Sequence, residues 1–125
     1  MSIPSDWKVL LVDDEPDSLN MIHDMLMLKG VEVRSAVSGV VGLSLLEGFS
    51  PTLVILDLSM PKPDGWDMLN AIRARPETEA LPVVAITAYS SDKVITQARQ
   101  AGFNALLPKP IKLNCLISKL QEVVG

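Results

Sequence analysis

Short apolar runs alternate with longer stretches of helical spacing from one end of this chain to the other, and that alternation restricts the fold more than any other feature. Lys8-Val9-Leu10-Leu11-Val12, Leu53-Val54-Ile55-Leu56-Asp57 and Pro82-Val83-Val84-Ala85-Ile86-Thr87 are apolar almost throughout. Strands read this way when both their faces are covered, as in a parallel sheet. Val31 to Ala36 alternates like a half-buried edge strand, and Ala105-Leu106-Leu107 reads as a short last strand. Between them, helices are predicted from Pro16 to Leu28, about Gly39 to Glu47, Trp66 to Arg73, Ser91 to Gln100 and Leu113 to Val123. Pro16 and Asp17 suit a first turn, and Gly30, Gly48 and Gly102 stand where helices close. Five strands alternating with five helices predict an α/β fold: a parallel sheet with helices on both faces and right-handed crossovers.

With 125 residues the chain is expected to form one domain over 1–125, and 48% hydrophobic residues supply a core. A net charge of −4 and a pI near 4.8, with basic residues scattered, argue against direct contact with nucleic acid. Cys115 is the single cysteine and cannot form an internal disulfide; it is expected to be a small buried hydrophobe in a reducing compartment. The first residues, Met1 to Lys8, lack the apolar stretch of a secretory signal. No apolar run approaches the roughly 18 residues of a membrane helix. A soluble, cytoplasmic protein without membrane contact is expected.

All strand carboxyl ends of a parallel sheet lie on one edge, where open α/β sheets bind their ligands. The residues at those ends are Asp13 and Asp14, Asp57, Thr87 and Lys109. Each acid alone could be a helix cap or a turn residue; their convergence with a hydroxyl and an amine has no such explanation. Two carboxylates about 5 Å apart repel by roughly 3 kcal/mol at an effective dielectric of 20. Lys109 offsets one charge of three. A divalent cation offsets the rest, and an all-oxygen site suits Mg²⁺, with Mn²⁺ as an alternative, better than zinc. A hard cation, a free carboxylate, an amine and a hydroxyl together match the needs of phosphoryl transfer to an aspartate.

The segments Leu11-Val12-Asp13-Asp14-Glu15, Asp57-Leu58-Ser59-Met60-Pro61 with Asp64-Gly65, Ile86-Thr87-Ala88 and Lys109-Pro110 resemble, in order and over essentially the whole chain, the receiver domain of bacterial two-component response regulators of the chemotaxis-regulator type. The resemblance implies a flavodoxin-like sheet of order 2-1-3-4-5. It implies that Asp57 accepts the phosphoryl group, and that Asp14, Asp57 and the Ser59 backbone carbonyl bind the metal, with Asp13 acting through water. Lys109 and Thr87 would contact the phosphate, Ala88 would leave room for it, and the Lys109–Pro110 peptide would be cis. The implied donor is a sensor histidine kinase or phosphotransfer protein. The implied output is a downstream protein bound on the face formed by the fourth helix, fifth strand and fifth helix, by a monomer or weak homodimer.

Two positions depart from the family pattern. An aromatic switch residue usually stands where this chain has Leu106, which puts the coupling of that residue to Thr87 in question; Tyr89 is either a substitute gate or an ordinary exposed tyrosine. Pro108 removes a backbone donor just before Lys109, either because that position needs no partner or because it stiffens the loop. His23, the single histidine, has no second ligand at helical spacing and reads as a partly exposed helix residue. Trp66, beside Gly65, is expected to pack near the mouth of the site.

Three functions compete. A phosphoryl-accepting switch catalyses only its own phosphorylation and hydrolysis, and is not a turnover enzyme. Driving such a switch from mostly off to mostly on takes roughly 5 kcal/mol of differential stabilisation. A phosphate-independent binding module has Leu106 as its support. An aspartate-nucleophile phosphatase would carry an acid two residues after Asp57, and Ser59 stands there instead.

Overall fold

The computed structural model of the chain describes residues 6–124. The order of elements is β1 (Lys8–Val12), α1 (Pro16–Met27), β2 (Glu32–Ala36), α2 (Gly39–Leu46), β3 (Leu53–Asp57), α3 (Gly65–Arg73), β4 (Val83–Thr87), α4 (Asp92–Ala101), β5 (Ala105–Pro108) and α5 (Leu113–Val124). All five strands are parallel, in the order β2-β1-β3-β4-β5. The α/β sheet predicted from the alternation is therefore present, with the implied strand order.

The sheet divides the core into two layers. Val9, Leu11, Ile55, Val84 and Ile86 point toward Leu19, Ile22 and Leu26 of α1 and Leu116, Ile117 and Leu120 of α5. Leu10, Val12, Val54, Leu56 and Ala85 point the other way, toward Met68, Leu69 and Ile72 of α3 and Ala98 of α4. Successive side chains of one strand thus serve opposite layers, which is why β3 and β4 are apolar without alternation and buried at every position. β2, on the sheet rim, exposes Glu32 and Arg34, and Arg34 lays its guanidinium 4.6 Å above the Phe49 ring.

Helix ends follow their local chemistry. Ser38 and Ser91 accept from the amides of Val41 and Val94, and Asp64 forms a reciprocal capping box with Asp67. Gly30 and Gly102 take positive φ, 79° and 113°, where helices α1 and α4 give way to strands. β5 runs one residue further than its apolar run suggests, through Pro108. This costs nothing in pairing. Lys109 donates its N–H to Thr87 at 2.8 Å, so the N–H side of the preceding residue faces the open rim of the sheet.

Two expectations are corrected. Cys115 is exposed, because it lies in the first turn of α5 beside Leu116 and Ile117, the residues that turn inward. Trp66 packs edge-on against Phe103, with ring centroids 5.5 Å apart, on the α3–α4 layer, and does not line the cleft that holds Asp57. His23 is partly buried, as expected, and its Nδ1 meets Ser35 Oγ at 2.7 Å.

Candidate metal and phosphoryl site

The carboxyl edge of the sheet gathers the residues named from strand ends. Asp13 follows β1 and its amide donates to Ala36 at 3.1 Å, so β1 and β2 still pair at the point where the acid appears. Its Oδ1 accepts from the Glu15 amide at 3.0 Å, which folds the chain back toward α1. Asp57 ends β3 in the same way: the Leu58 amide bonds Ile86 at 3.0 Å, and Asp57 Oδ1 accepts from the Ser59 amide at 2.9 Å. Both acids are fixed by their own turns and by the ladder beneath them.

Carboxylate oxygens of Asp13, Asp14 and Asp57 all lie within 4.8 Å of one another. Lys109 Nζ reaches Asp13 Oδ2 at 2.9 Å, Asp57 Oδ2 at 3.0 Å and Glu15 Oε1 at 3.7 Å. Asp13 and Asp57 are 0% and 3% exposed. One ammonium therefore bridges two buried carboxylates with a third acid alongside.

The protonation equilibria reflect this crowding. Burial pushes the Asp57 carboxyl above its ordinary range, and the neighbouring Asp13 carboxylate adds to the push; the Ser59 amide and Lys109 oppose it without cancelling it. Burial acts on Asp13 in the same sense, yet the Glu15 amide, the hydrogen bond with Asp57, Lys109 and Ser18 outweigh it and hold Asp13 below that range. Lys109 is raised, because its two carboxylate partners outweigh the cost of burial. Asp13 Oδ2 is, among the described residues, the one buried side-chain oxygen without a partner in hydrogen-bond geometry. That oxygen is held by the charge of Lys109 at 2.9 Å alone, and a cluster of three acids around one ammonium fits a hydrated cation.

A cleft of about 400 Å³ opens over this cluster, lined by Asp14, Glu15, Asp57, Ser59, Ala88, Tyr89 and Lys109. Thr87 is 2% exposed; its Oγ1 accepts from the Tyr89 amide at 3.0 Å, and it does not line the cleft. The Lys109–Pro110 peptide is cis, and so is Lys62–Pro63 in the loop after β3. Leu106 is half-buried and packs on the α3–α4 layer. The structure thus brings together Asp13, Asp14, Asp57, Ser59, Ala88 and Lys109, and leaves Thr87 just behind the cleft wall. Reading strand ends alone missed Glu15, although its place in the acidic run Asp13-Asp14-Glu15 signals it. The role of Gly65 was also missed: a glycine opening a helix is a poor helix former and marks a close approach.

The family model of the response regulator receiver domain matches residues 9–121. The chain belongs to the response regulator receiver domain family. It is 33% identical over 126 residues to the "Probable chemotaxis protein CheY" of Rhizobium etli, covering 100% of this chain and 98% of the relative. It is 37% identical over 114 residues to an uncharacterised 14.6 kDa protein of Leptolyngbya boryana, covering 91% and 87%. Against the transcriptional regulatory protein CpxR of Escherichia coli, 32% identical, 94% of this chain spans 49% of the relative. Among solved structures, chemotaxis protein CheY4 of Vibrio cholerae matches with a TM-score of 0.89 at 27% identity, covering 94% of this chain and 98% of that one. The protein is a receiver of the two-component system, a regulatory signal-transduction domain of a class that interacts with histidine kinases and downstream targets, and phosphorylation on aspartate is implied by the family. None of its helices is long and apolar enough to cross a membrane among the described residues.

Proposed function

We propose that Asp57 is the phosphoacceptor of this receiver. One observation carries the reading: of the three clustered acids, only Asp57 both lines the open cleft and touches Lys109. Asp13 pairs with the lysine but does not line the cleft, and Asp14 lines the cleft without that pairing. A donor phosphohistidine entering the cleft meets an Asp57 oxygen as nucleophile. The new bond joins that oxygen to phosphorus, the P–N bond breaks, and its electron pair stays on the imidazole nitrogen. Lys109 is placed to neutralise a phosphoryl oxygen, and the small Ala88 side chain leaves space beside it.

The donor set is all oxygen, which suits Mg²⁺, with Mn²⁺ as an alternative: Asp14 and Asp57 through their carboxylates, Ser59 through its carbonyl and Asp13 through water. When bound, the cation supplies positive charge against the phosphoryl oxygens. The chain's own residues hold the nucleophile, orient it through the Ser59 amide and keep the ammonium beside it.

An apolar cleft of about 370 Å³, lined in part by Met21, Pro110 and Ile111, adjoins the acidic one and shares Glu15, Ala88 and Lys109 with it. It supports docking of a donor kinase or phosphotransfer protein against α1. The α4–β5–α5 face carries a groove of about 190 Å³ floored by Phe103 and Leu106 and rimmed by Arg99, Lys119 and Glu122, which supports binding of a downstream target there. Residues 1–125 act as one receiver in the cytoplasm, monomeric or weakly dimeric, turning over only its own phosphoryl group.

Mass spectrometry after treatment with acetyl phosphate tests this. Wild type with Mg²⁺ gains one phosphoryl group that maps to Asp57; Asp57→Asn gains none, and wild type with chelator gains far less. Full labelling of Asp57→Asn, or labelling that maps elsewhere, overturns the proposal.

A further inference from the structure

Among the described residues, α2 is the one helix without a charged side chain: Gly39-Val40-Val41-Gly42-Leu43-Ser44-Leu45-Leu46. Its inward face is pressed against its neighbours. A Cβ on Gly39 would strike the Pro63 carbonyl, and one on Gly42 would lie 2.8 Å from both Val12 Cγ2 and Met68 Cε. Leu43, Leu45 and Leu46 pack against the core beside them. Val40, Val41 and Ser44 face outward, and Val37 stands just ahead of the Ser38 cap. Val37, Val40 and Val41 are 54%, 65% and 44% exposed. Positions 37, 40, 41 and 44 follow helical spacing and so form one stripe. The helix itself does not call for it. Valine is a poor helix former, and Val37 has no partner for a hydrophobic staple, because the fourth helical residue is Gly42. A contiguous apolar stripe that neither the core nor the helix uses marks an interaction surface.

We propose that this stripe docks a second copy of the chain, with α2 antiparallel to α2 across a two-fold axis. The proposal rests on the weak dimerisation put forward above and gives it a place; it stands apart from the chemistry at Asp57. Two copies of net charge −4 repel each other, and an uncharged face is where they approach with least repulsion. The surroundings of the stripe carry opposite charge at its two ends. At the amino end Pro63 abuts Gly39, which brings Lys62 alongside with its side chain 80% exposed. At the carboxyl end the exposed Glu47 closes the helix and shares a groove with Leu46, Arg75 and Glu77. Eight helical residues span about 12 Å. Antiparallel placement therefore sets Lys62 of each copy at the Glu47 end of the other, and it pairs the two helix dipoles head to tail. A surface that complements itself in this way is what a two-fold contact requires. The valine stripe is small beside the roughly 1,200 Å² of a standard interface, so the dimer dissociates at concentrations on the order of 100 µM.

Sedimentation equilibrium from about 10 µM to about 1 mM tests this. The average mass is expected to rise from 13.6 kDa and to level off at twice that value. Val40→Glu sets like charges against each other near the axis and is expected to raise the dissociation constant about ten-fold or more, with thermal melting as in wild type. Lys62→Glu and Glu47→Lys each weaken the dimer several-fold, and the two together restore it. A readout that needs no variant is the change of amide NMR shifts on dilution, expected at residues 37–47. A mass that stays at one chain throughout overturns both the weak dimer and its place, and leaves the stripe to another protein. A dimer indifferent to Val40→Glu, or dilution shifts confined to the α4–β5–α5 face, overturns the place alone. Mass that climbs past two chains without levelling overturns the two-fold arrangement. Charge reversals that fail to rescue each other overturn the antiparallel one.

Discussion

A Cβ added to Gly65 would stand 2.5 Å from the backbone carbonyl oxygen of Asp57 and 3.0 Å from Leu58 Cα. The first residue of α3 therefore presses on the peptide of Asp57, with no room between them. Both neighbours are backbone, so neither can swing aside. Gly65→Ala is expected to cost about 1–3 kcal/mol despite the better helix propensity of alanine. Urea unfolding measures the loss, and a slower phosphorylation by acetyl phosphate should accompany it, because the strain falls on Asp57.

The raised carboxyl of Asp57 sets the sign of one pH dependence. Its folded form binds its proton more tightly than the unfolded chain does, so folding is favoured at low pH and loses ground as pH rises from the ordinary aspartate value through the folded one. Asp13, which is lowered, acts oppositely: its contribution is present above the ordinary value and is lost as pH falls through its folded value. Replacing Asp57 by Asn should remove the first dependence and alter the second, since Asp57 is among the partners that hold Asp13 low. Denaturant melts between about pH 4 and pH 7 are expected to show Asp57→Asn more stable than wild type at the upper end, the difference shrinking toward the lower end.

Lys109 holds together two acids that would otherwise be buried side by side. Lys109→Met is expected to destabilise the fold by about 3–5 kcal/mol near neutrality, since two buried carboxylates lose their counter-charge. Part of the loss should return on acidification, and part on adding Mg²⁺, which stabilises by about 2.7 kcal/mol at a hundred times its dissociation constant. Thermal melts with Mg²⁺ and with chelator read both recoveries.

Arg73 anchors the opposite end of the sheet. Its guanidinium donates to the carbonyls of Glu79, Leu81 and Gly102 and to Asn104 Oδ1, at 3.2, 2.6, 2.8 and 3.0 Å, and Asn104 Oδ1 also accepts from the Val83 amide. The end of α3, the start of β4 and the turn into β5 meet at this one side chain. Arg73→Met is expected to lose about 2–3 kcal/mol in urea melts, while Asp57 is still phosphorylated by acetyl phosphate under native conditions.

The sheet was legible because β1, β3 and β4 are buried on both faces and so spell uninterrupted apolar runs. The acidic cluster was legible because a parallel sheet sends every strand end to one edge, which places Asp13, Asp57 and Lys109 together however far apart they stand in sequence. What escaped was set by three-dimensional neighbours that carry no periodic signal. Cys115 and Leu116 are adjacent on α5, yet only one turns inward. Trp66 follows the glycine beside Asp57, but its ring reaches sideways to Phe103. The Thr87–Tyr89 bond joins residues two apart and needs only a local turn, for which the sequence offers no warning.

Pro108 has a last consequence, for how copies of this protein can meet. With charged Glu32 and Arg34 along one rim and a missing amide at the end of the other, neither margin of the sheet invites another polypeptide to extend it. Encounters between molecules are steered onto the helices and the loops above the carboxyl edge, where a change at Asp57 can be felt and undone.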